Sequence, residues 1–187
     1  MQPRGFQAGY FYDRKLKSNI EVHLLSLNGD MKITFLVIGK TEDSYLKDGI
    51  EKYLKRLKHY VKFELIEIPE LKNTKHLSED QQKAKEAELI SKSISSTDHI
   101  VLLDEKGQEY SSVQFSGFIS KKMLSSVQNL VFIVGGPYGF DNSLHTLAPE
   151  KISLSKMTFS HQMVRLFFVE QLYRAFSILK GEPYHHE

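Results

Sequence analysis

Three short segments in the last third of the chain gather the residue types that chemistry needs. Gly135-Gly136-Pro137-Tyr138-Gly139 follows an apolar run ending at Val134. Glycines let a ligand approach the backbone closely, and open α/β sheets place ligands at the carboxyl ends of buried strands. Ser153-Leu154-Ser155-Lys156-Met157-Thr158-Phe159-Ser160-His161 leads from a short strand into a helix start, whose exposed N–H groups suit anions and polar ligands. The chain then ends Tyr184-His185-His186-Glu187, a phenol, two imidazoles and carboxylates able to hold or move a proton. A backbone cradle, a polar wall and an acid–base tail, in that order, make the layout of an enzyme.

Each segment also has a plainer reading. The glycine loop has neither the G-x-G-x-x-G nor the G-x-x-x-x-G-K-[ST] spacing, so alone it fits a βα turn as well as a ligand loop. Ser153, Ser155 and Thr158 can satisfy backbone groups instead of a ligand. His161 is either a site residue or a solvated one. Arg165, Glu170 and Arg174 share a narrow polar stripe, where an Arg165–Glu170 ion pair is the expected structural use. His185 and His186 lack a third ligand at metal-binding spacing, so no metal is assigned.

The elements that must position these segments alternate from Met31 onward. Ile33–Ile38, Phe63–Ile68, His99–Leu103, Leu130–Val134 and the brief Ile152–Leu154 read as strands. Between them the spacing predicts a helix capped by Thr41 with Leu46, Ile50, Tyr53, Leu54 and Leu57 inward, and a second opened by a Ser78–Gln81 capping box. Asp104-Glu105-Lys106-Gly107 reads as a turn, followed by a helix over 112–125. Asp141 or Asn142 caps a short helix before Pro149, and Ser160 caps the last one, to Lys180, with Gly181 just past its end. The alternation implies an α/β fold, a mostly parallel sheet with helices on both faces. The last helix is apolar nearly all round, which implies either a homodimer through it or cover by other helices of the chain.

Composition bounds the rest. A length of 187 residues fits one domain, and a net charge of +2 excludes strong non-specific affinity for nucleic acid from charge alone. The absence of cysteine removes disulfides, thiolate ligands and a cysteine nucleophile. No apolar run reaches membrane-span length, so a cytoplasmic protein is expected. Residues 1–30 lack a secretory pattern, and Gly29-Asp30 breaks the chain before the first strand. The expectation is an N-terminal extension over 1–30, upstream of a natural start at Met31 and largely non-essential, and a single domain over 31–187.

Gly-Gly-Pro-x-Gly after a strand, Ser-Leu-Ser-x-x-Thr-Phe-x-His, Val-Arg-Leu-Phe-Phe-Val-Glu-Gln-Leu-Tyr-Arg-Ala over 164–175 and a terminal Pro-Tyr-His resemble the RlmH family. Phe63-Glu64-Leu65-Ile66-Glu67-Ile68-Pro69 adds to the likeness, which spans Met31 to Glu187. These are small SPOUT-class enzymes that use S-adenosyl-L-methionine to methylate N3 of a pseudouridine in helix 69 of 23S ribosomal RNA. The resemblance implies a C-terminal trefoil knot, an exception to the rule that chains do not thread loops. It implies cofactor contacts at Leu103, Gly135, Gly136, Leu154, Ser155, Lys156, Met157, Thr158 and Phe159, and a catalytic role for the Tyr184, His185, His186 tail. It implies a homodimer acting on 23S rRNA within the ribosome, with neither metal, DNA nor membrane as partner. The family usually ends Tyr-His-Arg-Glu, and His186 stands where that Arg is expected. The competing class is a non-catalytic ribosome- or RNA-binding module of the same fold.

Overall fold

The computed structural model describes residues 31–125 and 127–185. The expected extension over 1–30, and His186 and Glu187 of the tail, lie outside the described residues.

The apolar runs form one five-stranded sheet. Its strands are β1 (Lys32–Ile38), β2 (Lys62–Ile68), β3 (His99–Glu109), β4 (Asn129–Val134) and β5 (Glu150–Ser153). They lie in the order β2-β1-β4-β3-β5, and every strand pairing is parallel. Parallel strands need crossovers, supplied here by α1 (Ser44–Leu57), α2 (Glu79–Ser91), α3 (Ser112–Leu124) and α4 (Asn142–Leu147). The fifth helix, α5 (His161–Leu179), follows β5. Alternate residues of β1, Ile33, Phe35 and Val37, point to a core shared with α1, α3 and α5, while Leu36 and Ile38 point to a second core with α2 and α4. Helices therefore cover both faces, which is the α/β architecture expected.

Ser78 and Gln81 form the predicted capping box, each bonding the other's backbone N–H. Ser160 caps α5 through Met163 N–H, and Gly181 takes φ +66° beyond its end. Two expectations change. Asp43, not Thr41, precedes α1, because the Thr41 side chain is buried and engaged elsewhere. Residues 104–107 do not end β3: the strand kinks there, so that Leu103 and Gln108 both face Ile152, and continues to Glu109. Its passage is tight, since a Cβ on Gly107 would lie 2.5 Å from the Ile152 backbone. Of the two covers expected for α5, the chain itself supplies one over most of the helix's apolar residues. Phe168 sits tilted between Phe35 and Phe132 at centroid distances of 4.5 and 4.7 Å, and Val169, Leu172, Ala175 and Phe176 complete that buried side.

Candidate functional site

Because all five strands run the same way, the loops after β1, β3, β4 and β5 open along one rim of the sheet. That rim collects Leu103, the 135–140 loop and the 154–160 segment, as ligand sites in open parallel sheets require.

The glycine loop closes on itself. Gly139 takes φ +79°, and its N–H donates to the Gly136 carbonyl at 3.1 Å. Gly135 and Gly136 have no positive φ; they are glycines because of what lies against them. A Cβ at Gly135 would sit 3.1 Å from the Gly139 oxygen and 3.2 Å from the Phe140 ring. A Cβ at Gly136 would sit 2.5 Å from Glu86 Oε2 and 2.7 Å from Oε1. Glu86 belongs to α2 and is only 4% exposed. Gln82 Nε2 donates to its Oε1 at 2.9 Å, while Oε2 is buried without a hydrogen-bond partner. Burial pushes the Glu86 carboxyl above the usual carboxylate range, the bond from Gln82 and the dipole of the Gly136 N–H pull it back, and the nearby charge of Glu70 pushes it further up.

The 154–159 segment is shaped by its serines. Ser153 Oγ donates to the Ser155 carbonyl at 2.9 Å, and Ser155 Oγ accepts from Met157 N–H at 2.9 Å. Leu154 packs against the core, Phe159 meets the Phe167 ring at 4.8 Å, and Met157 is 73% exposed. Lys156 and Thr158 face solvent, with Lys156 Nζ 3.9 Å from Glu109. Leu103, buried at 8%, ends the straight part of β3 beside them. Apolar side chains beside a close-packed glycine loop, with an orphaned buried carboxylate oxygen under it, suit a ligand that carries an aromatic ring and a positive charge.

The expected Arg165–Glu170 pair does not form, because the two side chains point to different places. Arg165, 1% exposed, reaches the end of β1. Its Nη2 donates to the Ile38 carbonyl at 2.6 Å, and its Nη1 to the Gly39 carbonyl at 3.0 Å and to Thr41 Oγ1 at 3.1 Å. One helix turn away His161 is half-buried; burial and then the Arg165 charge push its pKa down, against the charges of Glu70 and Glu42. Glu170 pairs instead with Arg174, whose Nε donates to Oε1 at 3.1 Å.

Tyr184 joins that second pair. Its hydroxyl donates to Glu170 Oε1 at 3.1 Å and lies 3.2 Å from the Tyr53 hydroxyl. The Arg174 guanidinium lies 4.7 Å over its ring, and His185 Nδ1 is 3.5 Å from Arg174 Nη1. Burial first, then the bond to Tyr53 and the charge of Glu170, raise the Tyr184 pKa, so this phenol keeps its proton and acts as a donor. The structure thus gathers on the rim the residues expected to contact a cofactor, while the contacts of Tyr184 run to α1 and α5. Glu86 and the acceptors of Arg165 escaped the sequence reading. The one available signal was Glu86 lying four residues before Ile90, on the buried stripe of α2.

A family described as "Predicted SPOUT methyltransferase" matches residues 31–185. Ribosomal RNA large subunit methyltransferase H of Parabacteroides distasonis is 58% identical over 157 residues, covering 84% of this chain and 100% of that protein. The protein of the same name from Flavobacterium johnsoniae is 57% identical over the same shares. In fold, the chain is similar to the crystal structure of a probable methyltransferase from Bordetella pertussis. The TM-score is 0.52 at 8% identity, over 83% of this chain and 99% of that one.

Proposed function

The chain belongs to the SPOUT methyltransferase family, in the group named ribosomal RNA large subunit methyltransferase H, and from that membership we propose its reaction. It transfers the methyl group of S-adenosyl-L-methionine to N3 of a pseudouridine in helix 69 of 23S rRNA, on the assembled ribosome in the cytoplasm. The observation that carries this reading is the 58% identity over 157 residues, which covers the whole length of the relative. The C-terminal trefoil knot belongs to the same proposal, as does the assignment of the activity to residues 31–187.

The cofactor supplies a methyl group already activated by its sulfonium. In this reading Leu103, Leu154 and Phe159 hold the adenine, while backbone groups of 135–136 and 154–159 read its edge. What remains for the protein is to align N3 with the methyl and let the N3 proton leave, so positioning dominates. Tyr184, proton retained, orients the base as a donor. His185 and His186 are the titratable members of the tail, with His185 held beside Arg174. The RNA backbone is served by the run from Lys52 to Lys62, which holds Lys52, Lys55, Arg56, Lys58 and Lys62 without an acidic residue. A homodimer forms through the outer face of α5, where Met163 meets Tyr45, itself 62% exposed, and Phe167 meets Phe159.

Ribosomes lacking the modification, incubated with the protein and the cofactor, are to gain one methyl at that pseudouridine by mass mapping of 23S rRNA. Ribosome binding without calorimetric binding of the cofactor would hand the reading to the non-catalytic module.

A further inference from the structure

Glu86 is a costly residue to bury. A carboxylate 4% exposed, with one oxygen lacking any hydrogen-bond partner, stands against the cofactor loop and not against a cation. Replacing such a group by an apolar or amide side chain of similar volume ordinarily costs little. Gln82 secures it from the preceding helix turn, and its two oxygens straddle the place where Gly136 would carry a side chain. The charged group acting on it is Glu70, of the same sign; Gln82 and the Gly136 N–H offset its charge in part, and no cation among the described residues pairs with it. When ionised, a carboxylate without a countercharge beneath a ligand loop adds to the affinity of a ligand that brings the missing positive charge.

We propose that Glu86 is a specificity residue of the cofactor site: it fixes Gly136 from behind, and its negative charge favours the sulfonium methyl donor over the neutral thioether that methyl transfer leaves. This rests on the reading of the site as one for S-adenosyl-L-methionine. Donor and product share the adenosine and the amino-acid end, and differ by one methyl and one positive charge at sulfur. Shape alone discriminates them weakly, whereas charge does so without touching either. For an effective dielectric of about 20, a unit charge roughly 10 Å away alters a binding constant by on the order of tenfold. The consequence is that the product leaves more readily than the donor. The discrimination acts through the loop, so Glu86 itself touches no reacting atom.

The test is calorimetry of both ligands on the full chain. For Glu86→Gln, which keeps the shape and removes the charge, affinity for S-adenosylmethionine is to fall about tenfold while affinity for S-adenosylhomocysteine stays within about twofold. Equal loss for both ligands, or no loss for either, overturns the proposal. Glu86→Asp keeps the charge but draws it back from Gly136. It is to weaken both ligands while preserving their ratio, and a lost ratio there also overturns the proposal, whether or not Glu86→Gln folds. Wild-type protein that binds neither ligand would instead sink the assignment of the cofactor.

Discussion

A methyl group added to Gly136 should damage the protein more than one added to its neighbour Gly135, although sequence treats the two alike. At Gly136 the new carbon would stand 2.5 and 2.7 Å from the two oxygens of Glu86; at Gly135 it would stand 3.1 Å from the Gly139 carbonyl oxygen. The first distance is not tolerable, and Glu86 has little room to retreat, being 4% exposed and tied to Gln82. Overpacking of this kind costs about 1–3 kcal/mol, and in a chain of this size each kcal/mol lowers Tm by about 2–4 °C. Gly136→Ala is therefore expected to lose about 1–3 kcal/mol in urea unfolding and at least tenfold in cofactor affinity, since the loop must shift. Removing the obstacle should relieve the strain: in Gly136→Ala/Glu86→Ala the two costs should fall short of additivity by about 1 kcal/mol. Gly117→Ala is the control, because a Cβ there meets nothing within 4 Å and helix propensity favours alanine by about 0.5–1 kcal/mol. Wild-type unfolding and binding in Gly136→Ala, or strictly additive costs in the double variant, would refute the reasoning.

The remaining predictions concern the tail, the helix face and pH. Removal of Tyr184–Glu187 is expected to abolish methyl transfer while sparing cofactor binding, and His186→Arg to keep or raise single-turnover rates, with the larger gain above neutral pH where His loses its charge. Phe167→Asp should yield a folded monomer by sedimentation, whereas Phe168→Asp should unfold the chain, because Phe168 is 0% exposed between Phe35 and Phe132. Burial raises the Glu86 pKa in the folded state, so its contribution to stability is fully present below the ordinary carboxylate pKa and is lost as pH rises through the raised value. Urea unfolding of wild type from about pH 4 to 8 should show that decline, and Glu86→Gln should remove that part of the slope.

What could be read in advance was whatever depends on neighbours in sequence. Strands buried on both faces announce themselves as apolar runs, and the Ser78–Gln81 box closes over three residues, so both were legible. The glycine loop was legible as a loop, but its reason was not: the freedom of positive φ belongs to Gly139, while Gly136 answers to a carboxylate fifty positions upstream. The same limit explains Arg165. A polar stripe invites pairing Arg165 with Glu170, five residues on; five residues is not a helical repeat, whereas Glu170 and Arg174 are i,i+4 neighbours and do pair. Arg165 is left to the carbonyls of Ile38 and Gly39, some 126 residues away in sequence, which become neighbours only when the sheet is assembled with β1 next to β4. The 104–107 segment misled for a related reason. Asp-Glu-Lys-Gly favours a turn by composition, but β5 offers backbone partners on either side of it, and tertiary pairing at Gln108 and Glu109 overrides the local preference. The parts of the site that sequence could name are thus its contact surfaces. The parts it could not name, Glu86 behind the loop and Arg165 behind the rim, are buried charged residues set against backbone of distant elements, Glu86 against Gly136 and Arg165 against the carbonyls of Ile38 and Gly39, and backbone groups leave no signature in sequence.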